Sequence, residues 1–341
     1  MFELRFPPPE RVDDEHLERV RQVIALARDA QARRGNRAGN QAIIDEIGVD
    51  VRLERDEAYC GEALDYHLGL LYAHLGDPNM AAHHFERSGT HPGTGGNQLF
   101  SSHQTESLEL LRRQELAKER GIPSVLIASM PRSASASLTQ TIAALLDAPI
   151  MRASCGRFPD FLLVPRWFNS CSSGGAVLHD HFGAIPFNVK LLRDAHVGEV
   201  FVRVRDPRPA AASSVNLIDR KAVASGRAEF EDRVLAAYEI AFIPWLTGWL
   251  AAAADAETGL KIHWVTHGAR ATREAARHVL AILAAAHPAL ADYARAHITE
   301  ITANLVTGEA EAWRASISER GQERLWEATP QAVRDLLGLQ P

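Results

Sequence analysis

The sequence predicts an all-α helical domain over residues 1–120, followed over 121–341 by an α/β domain whose parallel sheet is flanked by helices. Three observations carry this reading. Residues 14–35 and 57–120 repeat apolar side chains at helical period and show almost no strand signal. After Ser124, the β-rich runs VLIAS, AVLHD, EVFVRVR and IHWVT alternate with helical stretches, the pattern of strands joined by crossover helices. Between the two patterns lies RGIPS, Arg120 to Ser124, which marks the boundary.

Composition bounds the function. The chain has 341 residues, 46% hydrophobic and 23% charged, enough for two globular domains. Its formal net charge of −6 falls wholly within residues 1–120, and residues 121–341 sum to zero. No basic field points to nucleic acid. Cys60, Cys155 and Cys171 lack metal-ligand spacing and suit a reducing compartment. The opening MFELRFPPPERVDD has no apolar core of signal-peptide length. The most apolar segment, IAFIPWLTGWLAAAA from Ile240, reads as too short to cross a bilayer and carries Pro244 and Gly248. The expectation is a cytoplasmic protein with neither nucleic acid nor membrane as partner.

In the first domain, YHLGLLYAHLGDPNMAAHHFERSGTHP sets Leu68-Gly69, Tyr72, Gly76, Ala81 and Phe85 at the spacings of one tetratricopeptide repeat, which it resembles. Small residues there let two helices approach, and aromatics fill the seam. A solenoid needs about three copies, and one is clear; ESLELLRRQELAKER is a degenerate copy or a cap. An ordinary helical hairpin is an equal reading. HPGTGGNQLFSSH reads as a loop. The domain is open to a protein partner or to self-association.

In the second domain, SVLIASMPRSASASLTQTIAALL runs from a buried strand through a tight turn into a helix. Strand, turn and helix N-terminus form an anion cradle, because backbone N–H groups and the helix dipole converge there. A Walker loop requires glycines and a Gly-Lys-Ser/Thr ending, and a dinucleotide fingerprint requires its own glycines. MPRSASASL has neither glycine nor lysine.

The segment resembles the 5′-phosphosulfate loop of the sulfotransferases that use 3′-phosphoadenosine 5′-phosphosulfate. That loop reads roughly Pro-Lys/Arg-Ser-Gly-Ser/Thr-Ser/Thr. A second motif follows about 70 residues later: VFVRVRDPRPAAASS ends a strand with Arg205-Asp206-Pro207 and has Ser213 eight residues after Arg205. This is similar to the family's 3′-phosphate site. IPWLTGWL resembles the family's Trp-containing helix, and TGEAEAWRASIS resembles the late Trp-Arg segment that closes over the nucleotide. The resemblance covers about residues 121–341 and implies a P-loop-like, sulfotransferase-like fold. It implies that Arg132, Ser133, Ala134, Ser135, Ala136 and Ser137 hold the 5′ end of the cofactor. Arg205 and Ser213 would hold the 3′-phosphate. Trp313 and Arg314 would close the site, and Thr266 would touch the adenine. No metal is implied. The departures are Ala134 for the loop glycine, Ala136 for a hydroxyl residue, Pro209 for an acidic residue, and a missing Arg-Lys-Gly run, which leaves Arg314 as the nearby cation.

Sulfuryl transfer to a hydroxyl or amine builds charge on the bridging and sulfuryl oxygens, so it needs cations, N–H donors and a base. Arg132 stands at the start of the cradle and can neutralise charge, but a guanidinium is no base. AVLHDHFGAIP ends a strand in His179-Asp180-His181. Many sulfotransferases carry Lys-x-His there; His181 matches the histidine, and His179 takes the lysine's place. Alternate strand residues share a face, so both imidazoles line one side and Asp180 the other. A metal half-site and a pair of surface histidines are the rival readings of His-x-His. His83, His84, His263 and His267 read as solvated or structural.

The expected activity is sulfuryl transfer to a small-molecule or carbohydrate acceptor. A P-loop-like kinase is the rival enzyme, with Asp206 as its acidic metal ligand. The rival from another class is an interaction protein with a relic nucleotide domain. DRKAVASGRAEFEDR, Asp219 to Arg233, reads as a lid or acceptor loop.

Overall fold

The structure, a computed structural model, describes residues 69, 72–73, 77–87, 108–156, 158–159, 161–218, 227–267, 272–299 and 312–340. By contacts the chain divides into two compact units. One is Met1–Ser107 with Ala153–Phe168; the other is Leu108–Arg152 with Asn169–Pro341. Most of the helical region, including Leu68 and Gly76, and residues 219–226 of the charged insert lie outside the described residues.

The first unit contains helix α1 (Pro78–Arg87). Asp77 starts it, its Oδ1 accepting from Met80 N at 3.0 Å. A Cβ on Gly69 would stand 2.5 Å from the Phe85 ring, so only glycine permits this approach. Tyr72 stacks on His84 at 5.2 Å between ring centroids. The spacing of Gly69, Tyr72 and Phe85 thus reads out as a close helical pair.

The second unit opens with α2 (Leu108–Glu119), β1 (Val125–Ser129), α3 (Ser135–Leu146) and β2 (Ile150–Met151). The chain then returns to the first unit for a short antiparallel pair, β3 (Ser154–Cys155) with β4 (Leu162–Leu163), and for the start of α4 (Pro165–Ser172). Back in the second unit come β5 (Val177–Asp180), α5 (Pro186–Asp194), β6 (Glu199–Val204) and α6 (Pro207–Ile218). Next are α7 (Arg227–Ala237), one π-helical turn at Tyr238–Phe242, α8 (Ile243–Ala254), β7 (Lys261–Thr266) and α9 (Thr272–Ala286). Four short helices end it: α10 (Ala291–Arg295), α11 (Ala312–Ser316), α12 (Glu319–Glu327) and α13 (Gln331–Leu337).

Five strands form one sheet in the order β2-β5-β1-β6-β7, every neighbouring pair parallel. The unit is an α/β fold with a helix-flanked parallel sheet, an architecture compatible with a P-loop-like fold. β1 is buried along its whole length, which is why it reads as a continuous apolar run and not as alternation; β5 is equally buried but ends in His179 and Asp180. Ile127, Val177, Phe201 and Val265 of the sheet share a core with Leu138 and Ile142 of α3 and with Val279 and Leu280 of α9. β1 is flanked by β5 and β6, so the order reverses around it, and in open α/β sheets ligands bind at the carboxyl end of such a switch point.

Two expectations are corrected here. The boundary does not fall cleanly at residue 120. α2 packs with the sheet unit: Gln114 Nε2 donates to the carbonyls of Ser170 (2.8 Å) and Gly174 (2.9 Å). A Cβ on Gly175 would stand 2.2 Å from the Gln114 carbonyl, so this contact requires glycine. Conversely, 153–168 belong to the other unit. The apolar segment from Ile240 is also not short. α7, the π turn and α8 join into one helical run, Ala228–Ala254, and the π turn at Tyr238–Phe242 stands just before Pro244, the residue in the run that has no N–H to donate. By length and composition this run could cross a membrane, and half of its apolar window is buried inside the protein.

Candidate functional site

The turn after β1 is held tightly. Met130 N donates to the Arg203 carbonyl at 2.9 Å, and the Ser133 hydroxyl closes back on the Met130 carbonyl at 2.7 Å. Arg132 and Ala134 both adopt left-handed backbone, φ 63° and 56°. That conformation is what a glycine would supply at position 134 without steric cost. Ala134 caps α3 through backbone alone. Ser133, Ser135 and Ser137 have buried side chains, while Ala136 is partly exposed. What the turn can present to an anion is therefore mainly N–H groups at the start of a twelve-residue helix.

The two motifs meet. Arg132 Nε donates to Ser213 Oγ at 2.9 Å, across 81 residues of chain. Arg205 Nη1 donates to the Arg132 carbonyl at 3.2 Å. A third arginine, Arg203, ties them to β7. Fully buried, it donates Nε to the Ser133 carbonyl (3.0 Å), Nη1 to the Thr266 carbonyl (3.0 Å) and Nη2 to His267 Nδ1 (3.2 Å). Burial pulls the pKa of Arg203 down to about 10 and lowers those of Arg132 and Arg205; the nearby Asp206 partly opposes the fall at Arg205. Among the described residues, no carboxylate makes an ion pair with Arg132, Arg203 or Arg205. The nearest candidate, Asp206, is engaged by Arg208, whose Nε and Nη2 reach its two oxygens at 2.9–3.2 Å.

Beside these groups lies a cavity of about 350 Å³ lined by Arg205, Arg208, His267, Trp313 and Arg314. The Arg314 guanidinium stacks on the Trp313 ring at 5.1 Å. Arg208 lies over the same ring at 5.7 Å and over Trp326 at 5.3 Å. The late Trp-Arg segment thus shares a wall with the Arg205 motif. Thr266 enters through its carbonyl, which Arg203 takes.

His179 and His181 converge on one residue, Ser129, the last of β1. His179 Nε2 lies 2.9 Å from Ser129 Oγ, and His181 Nδ1 lies 2.7 Å from the Ser129 carbonyl and 3.0 Å from its Oγ. The strand ends at Asp180, so His181 is the first residue beyond it. A carbonyl only accepts, so Nδ1 of His181 carries the proton and the ring's lone pair sits on Nε2. Burial lowers the pKa of His181, against the pull of Asp180 and of the Ser129 carbonyl. His179, 3% exposed, is pushed well below the usual imidazole range by burial, then by His181 and Arg152. Trp245 of α8 anchors this strand end, its indole N–H lying 3.0 and 3.1 Å from the carbonyls of His181 and Phe182. Asp180 faces Arg152 at 3.6 Å and accepts from His181 N. Among the described residues, no three His, Cys, Asp or Glu gather as a metal site, so the His-x-His half-site finds no third ligand there.

Three participants were missed. Arg203 signals itself as a charge inside an apolar strand, two residues before Arg205 and hence on the same face. Ser129 is a polar strand end inside the VLIAS run. His267, read above as solvated or structural, lines the cavity, and burial, then Arg203 and Arg205, takes its pKa down to about 4. Nothing local in the sequence marks it.

No family model, no curated protein and no solved structure matches the chain.

Proposed function

We propose that this protein is a sulfotransferase that uses 3′-phosphoadenosine 5′-phosphosulfate and a hydroxyl or amine acceptor on a small molecule or carbohydrate. One observation carries the reading. Three guanidiniums, Arg132, Arg203 and Arg205, meet at the carboxyl edge of the sheet with no carboxylate ion pair among the described residues. Buried charge is normally paired. A site so built fits a ligand with two separate anionic groups, one on the turn after β1 and one near Arg205. The cavity beside Arg205, with the Trp313 ring in its wall, fits a nucleoside.

Bound there, the cofactor supplies the sulfuryl group. Arg132 and the N–H groups opening α3 neutralise charge as it develops on oxygen, in a setting less polar than water. Arg205 holds the distal phosphate. His181, its Nδ1 proton given to Ser129, offers Nε2 to the acceptor's proton. Its lowered pKa keeps that nitrogen unprotonated at neutral pH. His179 is buried and neutral, and it positions Ser129.

The kinase reading is weaker, because Asp206, the carboxylate it would lend to a metal, is engaged on both oxygens by Arg208. Thermal denaturation separates the readings. Adenosine 3′,5′-bisphosphate should raise the melting temperature without metal, and adenosine 5′-monophosphate should do so far less. Stabilisation by ATP with Mg²⁺ alone would favour the kinase, and no shift with either would leave the interaction protein.

A further inference from the structure

His267 follows β7 and lines the cavity with Arg205, Arg208, Trp313 and Arg314. The mechanism above does not use it. Its backbone is fixed, since His267 N donates to the Val204 carbonyl at 2.7 Å. Its ring is fixed as well. Arg203 Nη2 lies 3.2 Å from His267 Nδ1, and a guanidinium nitrogen can only donate. Nδ1 must therefore be the acceptor, and in the neutral ring the proton belongs to Nε2.

The charges around the imidazole reinforce this. Among the described residues, those facing it or the cavity are Arg203 from β6, Arg205 and Asp206 just beyond β6, Arg208 from α6 and Arg314 from α11. Asp206 is held by Arg208. A second cation here would meet guanidiniums on several sides, and protonating Nδ1 would set two donors against each other. The arrangement suits a ring that stays uncharged yet donates.

We propose that His267 is a neutral ligand of the phosphate bound beside Arg205, donating its Nε2–H, and that Arg203 is the positioning residue that sets this tautomer. The proposal rests on the reading of this cavity as a nucleoside 3′-phosphate site. It makes Arg203 a hinge pin between the turn after β1, through the Ser133 carbonyl, and the cavity, through His267. It also explains a buried arginine with only neutral acceptors: its charge serves an anion one residue away.

The test uses the full chain and adenosine 3′,5′-bisphosphate as probe, with calorimetric affinities for wild type, His267→Phe and His267→Gln. Phe keeps a flat ring without the donor and should weaken binding by about tenfold or more, the usual effect of losing a hydrogen bond to a charged group. Gln keeps an N–H and should stay within about threefold of wild type, by the same principle. The ratio of wild-type to His267→Phe affinity cancels the phosphate's own titration, and it should be flat from pH ~5.5 to ~8, across the ordinary imidazole range. A ratio that climbs as pH falls would mean an imidazolium ligand and would overturn the neutral-donor assignment. Equal binding by His267→Phe would overturn the ligand role itself. Nitrogen-15 spectra of the free wild-type imidazole should show a bare Nδ1 and a protonated Nε2 at neutral pH, whatever the variants' folding; the opposite tautomer would overturn the role of Arg203. If wild type does not bind the bisphosphate at all, the cavity reading fails and takes this proposal with it. That outcome is distinct from binding that ignores position 267.

Discussion

Arg205 lines the cavity and gives one N–H to the Arg132 carbonyl, so it ties the turn after β1 to the cavity. Arg205→Ala should cost about 1.5–3 kcal/mol of bisphosphate binding, roughly ten- to a hundredfold in affinity. Calorimetric titration checks this; unchanged affinity would remove Arg205 from the site. Adenosine 5′-monophosphate, which lacks the 3′ group, should be indifferent to the change. His181 and His179 divide differently. His181 sits past the strand end with Nδ1 tied to Ser129, while His179 is buried with its Nε2 on the same serine's hydroxyl. His181→Ala should lower turnover by about 10²-fold or more and leave bisphosphate affinity nearly intact. His179→Ala should instead lower stability, by about 1–3 kcal/mol, because it removes a buried hydrogen bond to Ser129 Oγ and opens a cavity. The wild-type rate should hold below the ordinary imidazole pKa of about 6.5 before it falls, because burial lowers the pKa of His181 and the base works unprotonated. If His179→Ala were the inactive variant and His181→Ala active, the assignment would reverse.

The cradle works as a strand–turn–helix element whose strain is local. Ala134 holds φ 56° with a Cβ that opposes it, at a cost of about 1–2 kcal/mol, which glycine would not incur. Glycine adds freedom to the unfolded chain, worth about 0.4–1 kcal/mol the other way. Ala134→Gly should therefore raise stability by about 0.5–1 kcal/mol, the difference of these two effects. Urea denaturation reads it as a higher midpoint at unchanged slope; a lower midpoint would mean that the turn is not left-handed at this residue. The strain persists because the turn is held from outside, by Met130 N on the Arg203 carbonyl and by Arg203 Nε on the Ser133 carbonyl, and is closed within by Ser133 on Met130. The strand end bearing His181 is held in the same way, by Trp245 of α8. In both cases a residue distant in sequence fixes a short stretch of chain at a strand end.

The second unit as a whole buries imidazoles that stay neutral, and this sets its response to acid. His267 has its pKa pulled down to about 4 by burial and by Arg203 and Arg205, and His179 is pushed well below the usual imidazole range, chiefly by burial. Both bind a proton less readily folded than unfolded, where imidazole titrates near 6.5. Below about pH 6.5 the unfolded chain takes up more protons, so stability falls as pH falls. For His267 the loss continues down to its folded value of about 4. Each such group contributes a slope of about 1.4 kcal/mol per pH unit within its window. Urea midpoints should therefore drop between pH ~7 and ~5, and His267→Phe should flatten that drop by about one proton's worth. A variant with the wild-type slope would show that His267 titrates normally.

The strand β1 was legible because a strand buried on both faces is apolar along its length, while β5, β6 and β7 were legible because short runs of β-branched, aliphatic and aromatic residues stand between helical stretches. The strand–turn–helix over residues 125–146 was legible because an apolar run, a Pro-Arg break and helical spacing follow one another at short range. β2 was not, being two residues long and defined only by its pairing with β5. Nor was the return of 153–168 to the first unit, which follows from contacts remote in sequence. The chain by itself determined which residues can carry charge, donate or accept, and where backbone must turn. Only the tertiary structure decided that Arg132 would reach Ser213 across 81 residues, that Ser129 would gather two imidazoles, and that Arg203 would face His267. The physical reason is that a local pattern records the environment each residue prefers. The partner of a buried polar group is chosen by the order and register of parallel strands, which bring the ends of β1, β5, β6 and β7 to one edge from four separate stretches of chain.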